Sequence, residues 1–197
     1  MLSLRIAYVA ILVSVGLVRF FWHRKAEILK AGETDVPEGG PIWVARLVLM
    51  PLWGISIIGW PIHPPWFAFQ ELPFNEPIRW VGVAIAVAGV GVLAWVHKTL
   101  GENFSPFLRI RENHQLVENC PYRWVRHPMY TSFALIFLGT VILTASSVMF
   151  VVAAMAMGAI AVRTRQEEAM LIERFGDSYR EYRNRTGALF PRIFPAS

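Results

Sequence analysis

The sequence has little charge and almost no cysteine: charged residues make up 17% of its 197 positions, and Cys120 is its lone thiol. One cysteine excludes an internal disulfide and any zinc site built on several thiolates, and says little about compartment. Cys120 reads as a structural thiol. Acidic residues are scarcer than basic ones, 14 against 19, for a formal net charge of +5. In a soluble protein that surplus would suggest a nucleic-acid partner. Hydrophobic residues, however, reach 55%, with Trp at 8 and Phe at 13, which is too apolar for an ordinary soluble domain of this size. Lipid is then part of the solvent, and surplus Lys and Arg mark cytoplasmic loops rather than nucleic-acid binding. The first hydrophobic stretch lacks the basic start and small-residue cleavage site of a secretory signal, so it is expected to be retained as a helix.

Five apolar stretches follow one another: Leu2 to Trp22, Ile42 to Ile62, Ile78 to Val96, Met129 to Thr144 and Ser147 to Val162. The first three reach the roughly 20 residues that cross about 30 Å of hydrocarbon; the last two reach it only with flanking residues. Ala145, Ser146 and Ser147 leave room only for a tight turn, so the fourth and fifth stretches should form an antiparallel helical hairpin. With five crossings, Arg24, Lys25 and Lys30, then Lys98, Arg109, Arg111, Arg123 and Arg126, then the Arg-rich tail from Arg163 all fall on one side. The opposite loops contain no Lys or Arg, which places the amino terminus outside and the tail in the cytoplasm. Arg5 argues the other way, and Arg46 and Arg79 can snorkel from their helix ends.

These patterns predict an all-α integral membrane protein with about five transmembrane helices, a cytoplasmic loop over 97–128 and a helical cap in the tail, 163–197. The whole chain, 1–197, is expected to be a single membrane domain, with two helices in 1–62 and a core over 78–197. Gly82 and Gly89 share one helical face, with Gly91 nearby, and small residues let membrane helices approach closely. A nucleotide loop is the weaker reading of the Gly-Val-Gly run, because a third glycine and a strand-turn-helix setting are missing. In the tail, Leu171, Phe175, Tyr179 and Tyr182 fall at roughly helical spacing, with Gly176 expected to break that helix and Asp177 to cap the next.

Two segments on the cytoplasmic side carry the unusual residues. In the loop, Arg126-His127-Pro128-Met129-Tyr130 stands where a polar stretch enters the membrane, with Pro128 suited to a first helical turn. Interfacial anchoring explains such a run as well as function does, since Arg snorkels and Tyr favours the headgroup level. After the last apolar stretch, Arg163 and Glu167 are four apart and share a helical face. They suit either a plain ion pair or a ligand clamp facing the Arg-His-Pro-Met-Tyr run.

Together these segments resemble the isoprenylcysteine carboxyl methyltransferase family, within the wider group that includes phospholipid methyltransferases. The resemblance is carried by His114 to Val117, Tyr122, His127-Pro128-Met129-Tyr130, and Arg163 with Glu167-Glu168 ahead of Phe175-Gly176 and Tyr179-x-x-Tyr182. It covers roughly His97 to Pro191, making 78–197 a methyltransferase core. It implies that His114, Gln115, Leu116, Val117, Tyr122, His127, Pro128, Met129, Tyr130 and Glu167 contact S-adenosylmethionine, and that Arg163 binds the methyl acceptor. Arg163 and Glu167 are thus the expected catalytic pair, and a lipid-like or prenylated molecule the expected partner. Ser132 and Phe107 depart from the family pattern, at a position often glycine and at one that is polar in some members.

The residue types suit that chemistry. S-adenosylmethionine has a zwitterionic end, a sulfonium and a flat adenine, so its pocket needs a carboxylate, cationic or backbone donors, and apolar walls. Glu167 can hold the ammonium, His127 or backbone amides the carboxylate, Leu116-Val117 the adenine, and Tyr130 can face the sulfonium. A carboxylate acceptor, with a pKa of about 3.5, is already ionised at neutral pH, so its methylation needs no metal and no strong base. An amine or thiol acceptor needs a proton acceptor as well, for which His97 or Glu168 is available, although His97 also fits a plain interfacial role. Alternatives are therefore a phospholipid N-methyltransferase, a small-thiol S-methyltransferase or, from another class, a non-catalytic membrane scaffold.

Overall fold

The computed structural model describes residues 2–28, 54, 58–62, 72–101 and 116–192. Five helices order these residues: α1 (Leu2–Ile28), α2 (Glu76–Leu100), α3 (Pro128–Thr144), α4 (Ser147–Phe175) and α5 (Asp177–Arg185). Among the described residues there is no β-strand, only an isolated parallel bridge between Val125 and Gly187. The protein is all-helical and membrane-embedded. By length and composition α1 (over Leu2–Lys25), α2 and α4 can each cross a bilayer. α3, with 17 residues, spans only about 26 Å. The second apolar stretch lies largely outside the described residues.

Each boundary has a local cause. Asn75 accepts a hydrogen bond from the Ile78 amide, with Pro77 and Glu76 in the first turn of α2. Pro128 opens α3, and the preceding His127 makes no side-chain cap, which leaves its imidazole available elsewhere. The expected tight turn is present: Ala145 takes a left-handed conformation at φ 52°, its amide donating to the Val141 carbonyl, and the Ser146 hydroxyl caps the Met149 amide. α4 runs 13 residues past the end of its apolar stretch at Val162, as far as the Gly176 break expected from the sequence, because its polar continuation is rich in helix formers such as Glu, Arg, Met and Leu. It is then about 43 Å long, so roughly its last nine residues project beyond a 30 Å hydrocarbon core. Gly176, at φ 54°, ends it, and Asp177 does not cap the next helix. It sits within the first turn of α5 and pairs with Arg180 at 2.7 Å.

The core lies where α1, α2 and α3 meet. Leu4, Tyr8, Ile11 and Val15 form the buried stripe of α1, while Leu2, Ile6, Val9, Val13 and Leu17 are exposed on its other sides, as lipid requires. The α2–α3 pair is the closest: a Cβ on Gly82 would lie 2.5 Å from the Leu143 amide nitrogen, and one on Gly139 would lie 2.4 Å from that of Ala86. Gly89 abuts Ile136, whereas Gly91 has nothing within 4 Å. The glycine face is thus a packing seam, and Gly91 is not part of it.

Arg79 does not snorkel. It is buried, donating from Nε to the Leu143 carbonyl at 2.8 Å and from Nη2 to that of Thr144 at 3.3 Å. Trp60 Nε1 donates to the same Thr144 carbonyl at 3.0 Å. Cation and indole therefore satisfy the carbonyls that the end of α3 leaves open, at the negative pole of its dipole.

Candidate functional site

At the opposite end of α3, two sequence segments meet. His127 and Tyr130 come from the first turn of α3 and the residue before it, and Arg163, Glu167 and Glu168 from the polar continuation of α4. Arg163 Nε donates to the Tyr130 hydroxyl at 3.0 Å, and that hydroxyl donates to Glu167 Oε2 at 2.9 Å. Tyr130 therefore stands between the two residues that a four-residue spacing had put on one face. His127 Nδ1 lies 3.7 Å from the same Glu167 oxygen, and the imidazole stacks on the Tyr130 ring at 5.6 Å and 20°.

Glu168, one residue on and so about 100° around the helix, engages other partners. Its Oε1 accepts from Arg126 Nε at 2.8 Å and lies 3.2 Å from His127 Nε2. Arg183 Nε approaches its Oε2 at 3.6 Å. The hydrogen bond from His127 is the largest influence on this carboxyl; burial opposes it and Arg126 reinforces it, and the net effect holds Glu168 down at about 2. Arg126 also donates to the backbone carbonyls of Arg183 and Thr186.

A short strap after α5 closes the arrangement. The Arg126 amide donates to the Gly187 carbonyl at 2.8 Å, the His127 amide to Ala188 at 3.1 Å and the Thr131 hydroxyl to Leu189 at 2.7 Å. Tyr182 donates its hydroxyl to the Tyr122 carbonyl at 2.8 Å, which ties α5 to the segment ahead of α3. The Tyr122 phenol is pushed up by burial, and secondarily by the charge of Glu167.

Of the residues singled out from the sequence, His127, Tyr130, Arg163 and Glu167 converge, while Tyr122 is held through its carbonyl by Tyr182. Pro128 is buried at the helix start, and Met129 turns toward the core cluster of Val15, Leu93 and Ile136. Leu116 and Val117 are half-buried in the segment ahead of the Cys120–Pro121 turn. His114 and Gln115 lie outside the described residues, as does Phe107. Cys120 is exposed rather than packed as a structural thiol. His97 is buried, with Nδ1 2.9 Å from the Leu93 carbonyl and its ring 6.0 Å from that of Trp22, so it packs between α1 and α2. The roles of Arg126, Arg183, Thr131 and Thr186 in holding the site were missed. The doubled Glu167-Glu168 beside the doubled Arg126-His127 was the available signal, since adjacent helical residues point about 100° apart and so approach their neighbours from different sides.

These residues coincide with a known family. Residues 81–173 match the model of the isoprenylcysteine carboxyl methyltransferase family, a stretch that takes in α3 and nearly all of α4. That segment is similar to this family over just under half of the chain. Among its curated relatives is a methanethiol S-methyltransferase of Mycobacterium tuberculosis, 40% identical over 70 residues, 36% of this chain and 28% of the relative. A protein-S-isoprenylcysteine O-methyltransferase of Schizosaccharomyces pombe is 34% identical over 96 residues, 47% of this chain and 41% of the relative. That of Dictyostelium discoideum is 28% identical over 131 residues, 65% and 55% respectively. The chain thus spans between 28% and 55% of the length of these relatives. In fold it is similar to a eukaryotic intramembrane Ras methyltransferase, with a TM-score of 0.57 and 20% identity over 97% of this chain and 70% of that one.

Proposed function

We propose that this protein is an S-adenosylmethionine-dependent methyltransferase that methylates the carboxylate of an isoprenylated cysteine, or of a similar prenyl-thio acid, at the membrane. The observation that carries this reading is the linked chain Arg163, Tyr130, Glu167 and His127, lying inside the segment that matches the family. The residues fit the methyl donor: the Glu167 carboxylate, 36% exposed, borders the stacked rings of His127 and Tyr130 and so offers an anion beside aromatic walls to a cationic ligand. His114, Gln115, Leu116, Val117, Tyr122, His127, Pro128, Met129, Tyr130 and Glu167 would hold it. When bound, S-adenosylmethionine supplies an electrophilic methyl group.

The chain's own residues then have little chemistry to perform. An acceptor carboxylate is ionised at neutral pH, so no base is required and positioning dominates. Arg163 can orient that anion through a forked pair of hydrogen bonds, with Tyr130 fixing the guanidinium from Nε. The site lies at the hydrocarbon edge of α4, with Glu167 and Glu168 in the projecting part and Arg163 one turn before it, on the side that loop charge assigns to the cytoplasm, with the amino terminus outside.

A second reading, methylation of a small thiol, is favoured by the 40% identity to a methanethiol S-methyltransferase. A thiol, with a pKa near 8.5, needs a proton acceptor. Glu168, one candidate, is engaged by Arg126, and His97, the other, is packed against α1. The decisive experiment follows labelled methyl from S-adenosylmethionine to farnesyl-cysteine, a phosphatidylethanolamine lipid and methanethiol. The proposal expects transfer to farnesyl-cysteine and release of the label by mild base, the mark of an ester. Transfer to the thiol alone would replace the first reading by the second, and no donor binding by calorimetry would reject both.

A further inference from the structure

We propose that Glu168 is a positioning residue that fixes the proton of His127 on Nε2, so that Nδ1 and Glu167 together form an acceptor pair for the ammonium group of the methyl donor. This rests on the reading of the site as a methyl-donor site. The His127 and Glu168 side chains are 4% and 14% exposed, so water does not compete freely for their contact. Glu168 Oε1 already receives the Arg126 Nε hydrogen at 2.8 Å and lies 3.2 Å from His127 Nε2. An ionised carboxylate only accepts hydrogen bonds, so the hydrogen in that second contact belongs to the imidazole.

The ring's orientation is set by the two carboxylates: Nε2 faces Glu168 and Nδ1 faces Glu167, and a half-turn about χ2 would put ring carbons against both. Stacking on Tyr130 holds the ring plane. With the proton on Nε2, Nδ1 carries a bare lone pair and faces Glu167 Oε2 at 3.7 Å. Two acceptors at that spacing lie beyond hydrogen-bond range of each other, yet one nitrogen can sit about 3 Å from both. An ammonium group, with three hydrogens and a positive charge, suits that position. A carboxylate does not, since it would face a lone pair on one side and the Glu167 anion on the other. His127 is thereby moved from the donor's carboxylate, where residue type alone allowed it, to the ammonium.

The test uses the full-length protein in lipid nanodiscs with 15N-labelled histidine, the His127 signal being identified by its loss in His127→Asn. At pH 8 the wild type should show Nε2 protonated and Nδ1 bare, and any other pattern overturns the proposal. Glu168→Leu removes the acceptor, whereas Glu168→Gln keeps one. Leu should give a mixture of tautomers and raise the S-adenosylmethionine Kd about tenfold, the loss of roughly one hydrogen bond. Gln should retain the tautomer and most of the affinity. In both variants turnover at saturating donor should change far less than Kd. Unchanged tautomer and Kd in Glu168→Leu would overturn the proposal; if that variant does not fold, the wild-type spectrum and Glu168→Gln still decide. Absence of donor binding by the wild type would instead reject the proposed function, with the tautomer still reporting whether Glu168 holds His127.

Discussion

Replacing Gly139 by alanine strikes the tightest point of the α2–α3 seam. The new Cβ would lie 2.4 Å from the Ala86 nitrogen, 2.6 Å from the Gly82 carbonyl oxygen and 2.7 Å from the Ala86 Cβ. The first two are backbone atoms of α2, so no rotamer change relieves them, and α2 and α3 must separate by about 1 Å to restore ordinary contact. Overpacking of this kind costs about 1–3 kcal/mol. Alanine's higher helix propensity returns up to about 1 kcal/mol. Separation also loosens the packing of Leu93, Ile136 and Leu143, so the net loss should be roughly 2 kcal/mol. Thermal unfolding in mild detergent should show this as a Tm lower by about 4–8 °C. Gly91→Ala is the control, because nothing lies within 4 Å of its Cβ position and only the propensity gain applies. An unchanged Tm for Gly139→Ala, or an equal loss for Gly91→Ala, would refute the glycine seam.

Arg79→Met should lower stability by about 2 kcal/mol in the same assay, since two charge-assisted hydrogen bonds to the end of α3 are lost while Trp60 keeps its own. Wild-type stability in that variant would show that the cation contributes nothing there. Acidification should act through Glu168, whose folded-state pKa lies below the ordinary carboxyl value. Its stabilising contribution is therefore complete above about pH 4.5 and is lost as pH falls toward 2. Pepsin digestion should accordingly separate wild type from Glu168→Gln at pH 4.5 and find them alike near pH 2. A difference that persists or widens at the lower pH would contradict the assignment.

The helices were legible because hydropathy and helix length are imposed by the bilayer itself, and the Ala145 turn because three residues permit nothing else. The site was legible in part, since Arg163 and Glu167 share a helical face by spacing alone. What spacing could not reveal was Tyr130 standing between them, a contact 33 and 37 residues away along the chain. The end of α4 was legible from Gly176, although hydropathy alone marks only where lipid stops and the helix continues on propensity. Arg79 was misjudged. A cation near a helix end can reach for headgroups or for open carbonyls, and only the partner helix decides which.

The continuity of α4 sets a rule of phase on the sequence. Its buried residues, Met149 and Val152, lie near the Ser146 cap, and Glu167 and Glu168 lie more than three turns beyond them. Composition between these points is weakly constrained by packing, but length is not. Deleting one residue there would rotate both carboxylates by about 100° and draw them back 1.5 Å, presenting them to the wrong neighbours without disturbing a buried side chain. The middle of α4 thus acts as a spacer whose residue count matters more than its residue identities.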